Sequence, residues 1–328
     1  MHAIGEVMKV VVIGGGTGLA TMLKGMKKYT PHITAIVTVA DNGGSSGKIR
    51  EEMGIMPPGD IRNCLVALAN TEPIMEKVLQ YRFKEGSLSG QSLGNLFLAA
   101  LADITGSFEE AVKVTGNVLA ITGQVLPVTL EDVQLYAKFE NGKIIEGETQ
   151  IVAYAKETHF LIHEINLKPT TPIPVKEVIY ALQEADVIIL GPGSLYTSII
   201  PNLLVDLVPK LIAESKAQKV YVANIMSQPG ETTGFSIEDH IQVLEKYIGK
   251  NVINSVIVNN EPIPNNYLSE YIEDGADVLN FDEYHEIWNN IRRIEAPLIK
   301  LYEDKKLVRH HSEKLAKCIF ECIFKEIN

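Results

Sequence analysis

Val10-Val11-Val12-Ile13-Gly14-Gly15-Gly16-Thr17-Gly18 decides how this chain is read. Four apolar residues without polar alternation predict a strand buried on both faces, the kind found in a parallel sheet. The glycines that follow allow a sharp turn with uncovered backbone N–H groups. Leu19, Met22, Leu23 and Met26 then repeat at helical spacing. A helix amino end carries a positive dipole, so this strand–turn–helix suits a phosphate. Two familiar motifs fit poorly. No lysine follows the glycines where a Walker A loop requires one. The dinucleotide fingerprint finds its first two glycines in Gly14 and Gly16, but the third position holds Leu19. The stretch therefore points to a diphosphate more than to NAD.

The chain has 328 residues, 46% hydrophobic and 22% charged, enough for one large globular domain. A formal charge of −11 argues against nucleic acid or an anionic membrane surface as partner. No apolar run approaches the roughly 20 residues of a membrane span. The three cysteines, Cys64, Cys318 and Cys322, match no metal or redox spacing and predict reduced core thiols in a cytoplasmic protein. Residues 1–7 read as a flexible leader to a single domain over 8–328.

Ile33–Val39 predicts a second buried strand, opening into Ala40-Asp41-Asn42-Gly43-Gly44-Ser45-Ser46-Gly47. In an open parallel sheet, loops at the carboxyl ends of the strands share one edge, so this loop should face the same crevice. Asp41 stands 23 residues after Gly18, where a ribose-binding acid would fall; a turn-capping role is the plainer option. Pro58-Gly59-Asp60-Ile61-Arg62-Asn63 follows, with Asp60 as a helix cap. Arg62 would then oppose the helix dipole unless an anion lay nearby. Ser92 is expected to cap the helix Leu93–Ile104, with Asn95 facing either the crevice or the turn.

Residues 119–167 change character. Val133–Glu140 and Lys143–Gln150 flank Asn141-Gly142, the signal of a type I′ hairpin, so a β-rich insertion of little chemical content is expected. His159 and His163 would share a strand face there as structural residues. The α/β rhythm resumes with the strand Asp186–Leu190, which ends in Gly191-Pro192-Gly193-Ser194, a third glycine bend followed by Thr197 and a helix. Lys219–Asn224 exits into Met226-Ser227-Gln228-Pro229-Gly230-Glu231-Thr232. Ser236 to Asp239 resembles a capping box. Val252–Val258 and Val278–Phe281 read as final strands. Leu315, Cys318, Ile319, Cys322 and Ile323 form one stripe on the last helix, which packs on the body or joins a second copy. The fold class is α/β: a three-layer, Rossmann-like parallel sheet with a β-hairpin insertion in mid-chain.

Taken in order, the motifs Val12–Gly18, Thr38–Gly47, Pro58–Asn63, Ser92-Leu93-Gly94-Asn95-Leu96, Gly191–Tyr196 and Gln228–Thr232 resemble the YvcK-like family of gluconeogenesis factors, related to CofD phospholactate transferases. The resemblance covers nearly the whole chain from Met8. It implies a nucleotide-diphosphate ligand, a UDP-sugar such as UDP-N-acetylglucosamine or else NAD. It also implies links to gluconeogenic growth, cell shape and wall synthesis, with a cell-wall or regulatory protein as partner. In the CofD branch the acid matching Asp41 helps hold a deazaflavin acceptor and a divalent metal, and a second acid is usual where this chain has Asn42. Gln91 stands where many YvcK-like sequences carry histidine.

Three functions follow as expectations. In the first, a nucleotide-sugar-binding regulator needs no cofactor. Backbone groups of Gly14, Gly15, Gly16, Thr17, Gly18, Gly191, Gly193 and Ser194 hold the diphosphate, and Arg62 adds charge. Asp41, Asn42 and Asp60 contact ribose or sugar, while Gly43, Ser45, Asn63, Asn95 and Asn224 complete the lining. In the second, a transferase holds Mg²⁺ on Asp41 and Asp60. The third, an NAD-dependent oxidoreductase, lacks both the third glycine and an evident catalytic histidine.

Overall fold

The computed structural model describes residues 8–324, and the leader expected over 1–7 lies outside them. In chain order the described strands are β1 (Val10–Gly14), β2 (Ile33–Val37), β3 (Gln124–Pro127), β4 (Gln134–Phe139), β5 (Ile144–Glu146), β6 (Ile162–Lys168), β7 (Val187–Leu190), β8 (Gln218–Val222), β9 (Ser255–Asn259), β10 (Arg292–Ala296), β11 (Ile299–Tyr302) and β12 (Leu307–His310). Seven of them form one parallel sheet in the order β10-β9-β8-β7-β1-β2-β3, flanked by helices. Every residue of β1 and β7 is buried, as continuous Val/Ile/Leu runs demand of strands covered on both faces. Because β1 pairs with β2 on one side and β7 on the other, the chain reverses its direction of travel across the sheet at β1. The loops leaving β1 and β7 therefore diverge around a crevice at the carboxyl edge, where open α/β sheets bind ligands.

The insertion differs from its expected form. Gln124–Pro127 pairs parallel with β2 and belongs to the main sheet, so the separate antiparallel sheet is β5-β4-β6 and starts only at Gln134. Its hairpin does turn at Asn141-Gly142, but not as type I′. Only Gly142 has positive φ (81°), and a three-residue loop closes between Phe139 and Lys143. The strand expected to reach Gln150 stops at Glu146. Gly147, at φ 91° and ψ 135°, redirects the backbone into the helix Glu148–Thr158. His159 is the left-handed cap of that helix and His163 lies on β6, so they share no strand face.

Val278–Phe281 is not a strand of the sheet. Its backbone serves the loop after β8, with Leu279 N–H donating to Ile225 O and Asn280 O accepting from Ile237 N–H; the edge position belongs to β10. The capping box of Ser236 and Asp239 is present. Asp60 sits inside the first turn of the helix Gly59–Leu68, after Pro58 at the cap, and Ser92 holds Arg62 instead of capping its own helix. The terminal helix Ser312–Ile319 lays its stripe on the body. Leu315 and Ile319 are fully buried, and Gly25 of the first helix (Gly16–Met26) leaves room for Ser312 and Ala316. That stripe is thus no free face for self-association. Among the described residues no single helix is long and apolar enough to cross a membrane.

Candidate functional site

A polar cleft of about 440 Å³ opens at the switch point. One wall is Gly15 to Gly18 with Thr21. The facing wall is Pro192, Gly193, Ser194 and Ser198. The two bends touch: a Cβ on Gly18 would stand 2.6 Å from Pro192 O, and one on Gly193 would stand 3.3 Å from Gly15 O. Only glycine allows backbone to approach backbone this closely. Gly16, at φ 68°, also needs the left-handed region. The first helix begins there without any side-chain cap and without an acid in its first turn. Its leading N–H groups have no intrahelical acceptor; the Asp60 carboxylate receives that of Gly16, and Thr17 and Gly18 follow along the cleft wall.

The β7 bend is built the other way. Gly193 N–H donates to Asn224 Oδ1 at 3.2 Å, and Asn224 Nδ2 returns a bond to Gly193 O at 2.8 Å. Behind it stands Glu231, only 6% exposed, accepting from Tyr196 N–H and the Thr197 hydroxyl, each at 3.1 Å. Burial raises the pKa of Glu231, while donors from Thr197, Tyr196 and Ser194 oppose that rise. The dipole end expected after Ser194 is therefore already occupied by a carboxylate of the chain itself.

Three acids share the floor and roof of the cleft: Asp41 after β2, Asp60 from the helix Gly59–Leu68, and Glu148 from the insertion. Glu148 was not legible as a site residue, since the insertion reads as chemically quiet and nothing local links it to Asp41. Burial pushes Glu148 up to about 9, with the charges of Asp41 and Asp60 and a hydrogen bond to Asp41 adding to the effect. Asp60 rises to about 6, chiefly by burial and then by Asp41, although Gly16 N–H donates to it. A Cβ on Gly15 would meet Asp60 Oδ2 at 2.6 Å and Thr38 Cγ2 at 2.8 Å, so a larger residue there would have to displace both side chains.

Several expected ligand contacts lie elsewhere. Asn42 clasps the insertion helix: its Oδ1 accepts from Thr149 N–H and from the Thr149 hydroxyl, and its Nδ2 donates to Gln150. Gly43 N–H folds back on Asp41 Oδ1. Ser45 joins a buried network with Gln91, Ser92 and Asn95. Arg62 donates to Ser92 Oγ and to Asn63 Oδ1, on the side of its helix away from the cleft lining. The far end of the cleft uses residues absent from the sequence reading: Tyr271, Asp274, Val308, Arg309 and His310. Tyr271 Oη is tied to β12 through Val308 and Arg309. Among the described residues no three His, Cys, Asp or Glu side chains are grouped to hold a metal.

Fold and site together define a Rossmann-like α/β protein with a polar, glycine-walled cleft at the switch point of its sheet. The chain belongs to the CofD family: residues 10–299 match the family described as 2-phospho-L-lactate transferase CofD. It is 54% identical over 311 residues to a relative from Thermoanaerobacterium thermosulfurigenes, covering 95% of each chain. It is 41% identical to the gluconeogenesis factor of Bacillus subtilis, covering 98% of this chain and 99% of that one. A crystal structure of a UPF0052 family member from Bacillus halodurans superposes with a TM-score of 0.89 at 39% identity, over 95% of this chain and 99% of that one. These likenesses support a regulatory or CofD-like role.

Proposed function

We propose that this chain is a cytoplasmic regulator that binds a nucleotide-diphosphate sugar of the UDP-N-acetylglucosamine type. In this role it would couple gluconeogenic growth to cell shape and wall synthesis through a protein partner. The observation that carries the reading is the glycine-walled cleft at the switch point, lined by the start of the first helix and large enough for a diphosphate and a sugar. The acids around it suit hydroxyl donors. A neutral Glu148 and the carboxylate of Asp41 can take hydrogen bonds from ribose or sugar, which a bare phosphate cannot offer. NAD would use the same diphosphate seat, but hydride transfer has no evident residue here. Isothermal titration with UDP-N-acetylglucosamine tests the reading: saturable binding is expected, and no heat at millimolar ligand overturns it.

One observation favours a second reading, a transferase acting on a nucleoside diphosphate-linked acid. Burial and the charge of Asp41 raise the cost of ionising Asp60, and a cation would relieve it. With no three-residue cage present, Mg²⁺ would rest on these two carboxylates and on the ligand's phosphates, a common arrangement for this ion. The ion would supply charge stabilisation at the phosphates, while the chain's own residues position the ligand. Turnover of such a substrate with a deazaflavin acceptor would establish this reading. Saturated ligand without product would dismiss it.

A further inference from the structure

One aromatic side chain stands apart from both the core and the cleft. Tyr284 is 93% exposed, more than any other large apolar or aromatic residue among those described. The turn that carries it, 282–285, is nevertheless firmly held. The Trp288 indole N–H donates to Asp282 O at 2.8 Å and to Glu238 Oε1 at 3.0 Å, and the same Glu238 oxygen accepts from Asp282 N–H at 2.9 Å. Tyr284 N–H closes the turn on Asp282 Oδ1 at 3.0 Å. Glu238 itself is buried, so a carboxylate of the interior holds a turn that presents its tyrosine to solvent. Beside the turn lies a hollow of about 590 Å³, between the helix Ile237–Ile248 and residues 285–290. Lys246 and Lys250 line it, and neither forms an ion pair among the described residues. Two acids line it as well, Glu286 and Glu245, the latter accepting from Asn251 N–H at 2.8 Å. The turn next to Tyr284 carries the charge opposite to the lysines in exposed Glu283.

We infer that a second copy of the chain docks on this face about a two-fold axis, with Tyr284 of each copy seated in the hollow of the other. A two-fold contact needs a surface complementary to itself, and here anchor and receptacle lie side by side. Charge follows the same exchange, since Glu283 of one copy meets Lys246 or Lys250 of the other. Each chain carries a formal charge of −11, so two copies repel at long range, and this local pairing favours approach here. Tyrosine is a common interface anchor, and one on a turn already held loses little freedom on docking. Two buried tyrosines supply roughly 300–500 Å², well below the ~1,200 Å² of a standing interface. The dimer is therefore a weak, reversible one, with Kd on the order of tens of micromolar. None of these residues lines the cleft, so self-association here is separate from ligand binding.

Analytical ultracentrifugation of the intact chain, from about 1 to about 300 μM, tests this and should show monomer and dimer in exchange. Tyr284→Ala trims an exposed side chain, so the fold should stand, and the dimer should weaken at least about tenfold. Glu283→Lys should weaken it about fivefold, because the two-fold axis repeats each lost pair. Adding Lys246→Glu or Lys250→Glu to that variant re-forms the pair with its signs exchanged and should restore most of the loss. A chain that stays monomeric throughout overturns the inference. So does a dimer that Tyr284→Ala leaves intact, which would put the contact on another face. Failure of both charge exchanges to restore association overturns the pairing and the two-fold arrangement with it.

Discussion

The bends after β1 and after β7 look alike on paper, each a glycine cluster followed by small hydroxyl residues and a helical turn, and they lie in contact. Their hydrogen-bond donors are taken from different sides and to different degrees. After β1, Asp60, which itself lines the cleft, receives the Gly16 N–H, and the cap residue adds no side-chain bond. After β7, Asn224 and Glu231 take the donors from behind, and Gln228 secures Ser194. Glycine content tells where a backbone can turn tightly. It does not tell whether the exposed amides are left for a ligand, because their acceptors come from segments more than 30 residues away in sequence.

The largest effect should come from forcing the two bends apart. Gly18→Val places a side chain against Pro192 O, rigid backbone that cannot step aside. We expect a loss of about 3 kcal/mol in urea unfolding and more than a hundredfold in ligand affinity by titration. A stable, binding-competent Gly18→Val protein would show that the walls need not touch.

Asp60→Asn probes the charge of the β1 wall. Its folded pKa, about 6, lies above the unfolded value of 3.8, so the folded state holds the proton more tightly. The contribution of Asp60 to native stability is fullest below pH 3.8 and is lost as pH rises through 6. Asparagine still accepts from Gly16 N–H and never ionises. In metal-free buffer at pH 7.5 the variant should be more stable by about 2 kcal/mol, and the decline between pH 4 and 6 should flatten. Denaturant melts across that range check both, and an unchanged slope would exclude Asp60 as its source.

A smaller effect is expected at the clasp. Asn42→Ala removes the side chain that receives Thr149 at the start of the insertion helix, a change of about 1 kcal/mol. Hydrogen exchange should quicken over residues 148–158 while the first helix keeps its protection. The smallest concerns Arg62, which bonds Ser92 and Asn63 away from the cleft lining. Arg62→Lys should leave ligand affinity within about twofold, since no bidentate contact to the ligand is lost. A tenfold loss would put Arg62 on the phosphates after all.

What could be read from the sequence follows the range of the interactions. Val10–Val12 and Val187–Leu190 announce buried parallel strands because burial on both faces leaves only apolar positions. The Gly14–Gly18 bend and Asp41 fall where the sheet edge requires them. Asn141-Gly142 announces a reversal, but the turn type depends on whether Asn141 adopts positive φ, which pairing of Phe139 with Lys143 decides. Glu148, Tyr271, Arg309 and His310 could not be placed, because each reaches the cleft only through packing between elements distant in sequence. Arg62 shows the same dependence on range: a cation in a first turn suggests an anion, while its bonds run to the Ser92 hydroxyl and the neighbouring Asn63.

Gly25 has a consequence for how the cleft comes into being. The first helix, whose start lines the cleft, is synthesised long before Ser312 and Ala316, yet the surface around Gly25 is closed only when those residues arrive. Until then its apolar flank, Met22 and Met26 included, lacks that cover. The cleft's first wall must therefore wait for the segment around Ser312, so a chain cut before that segment should leave the wall unsupported.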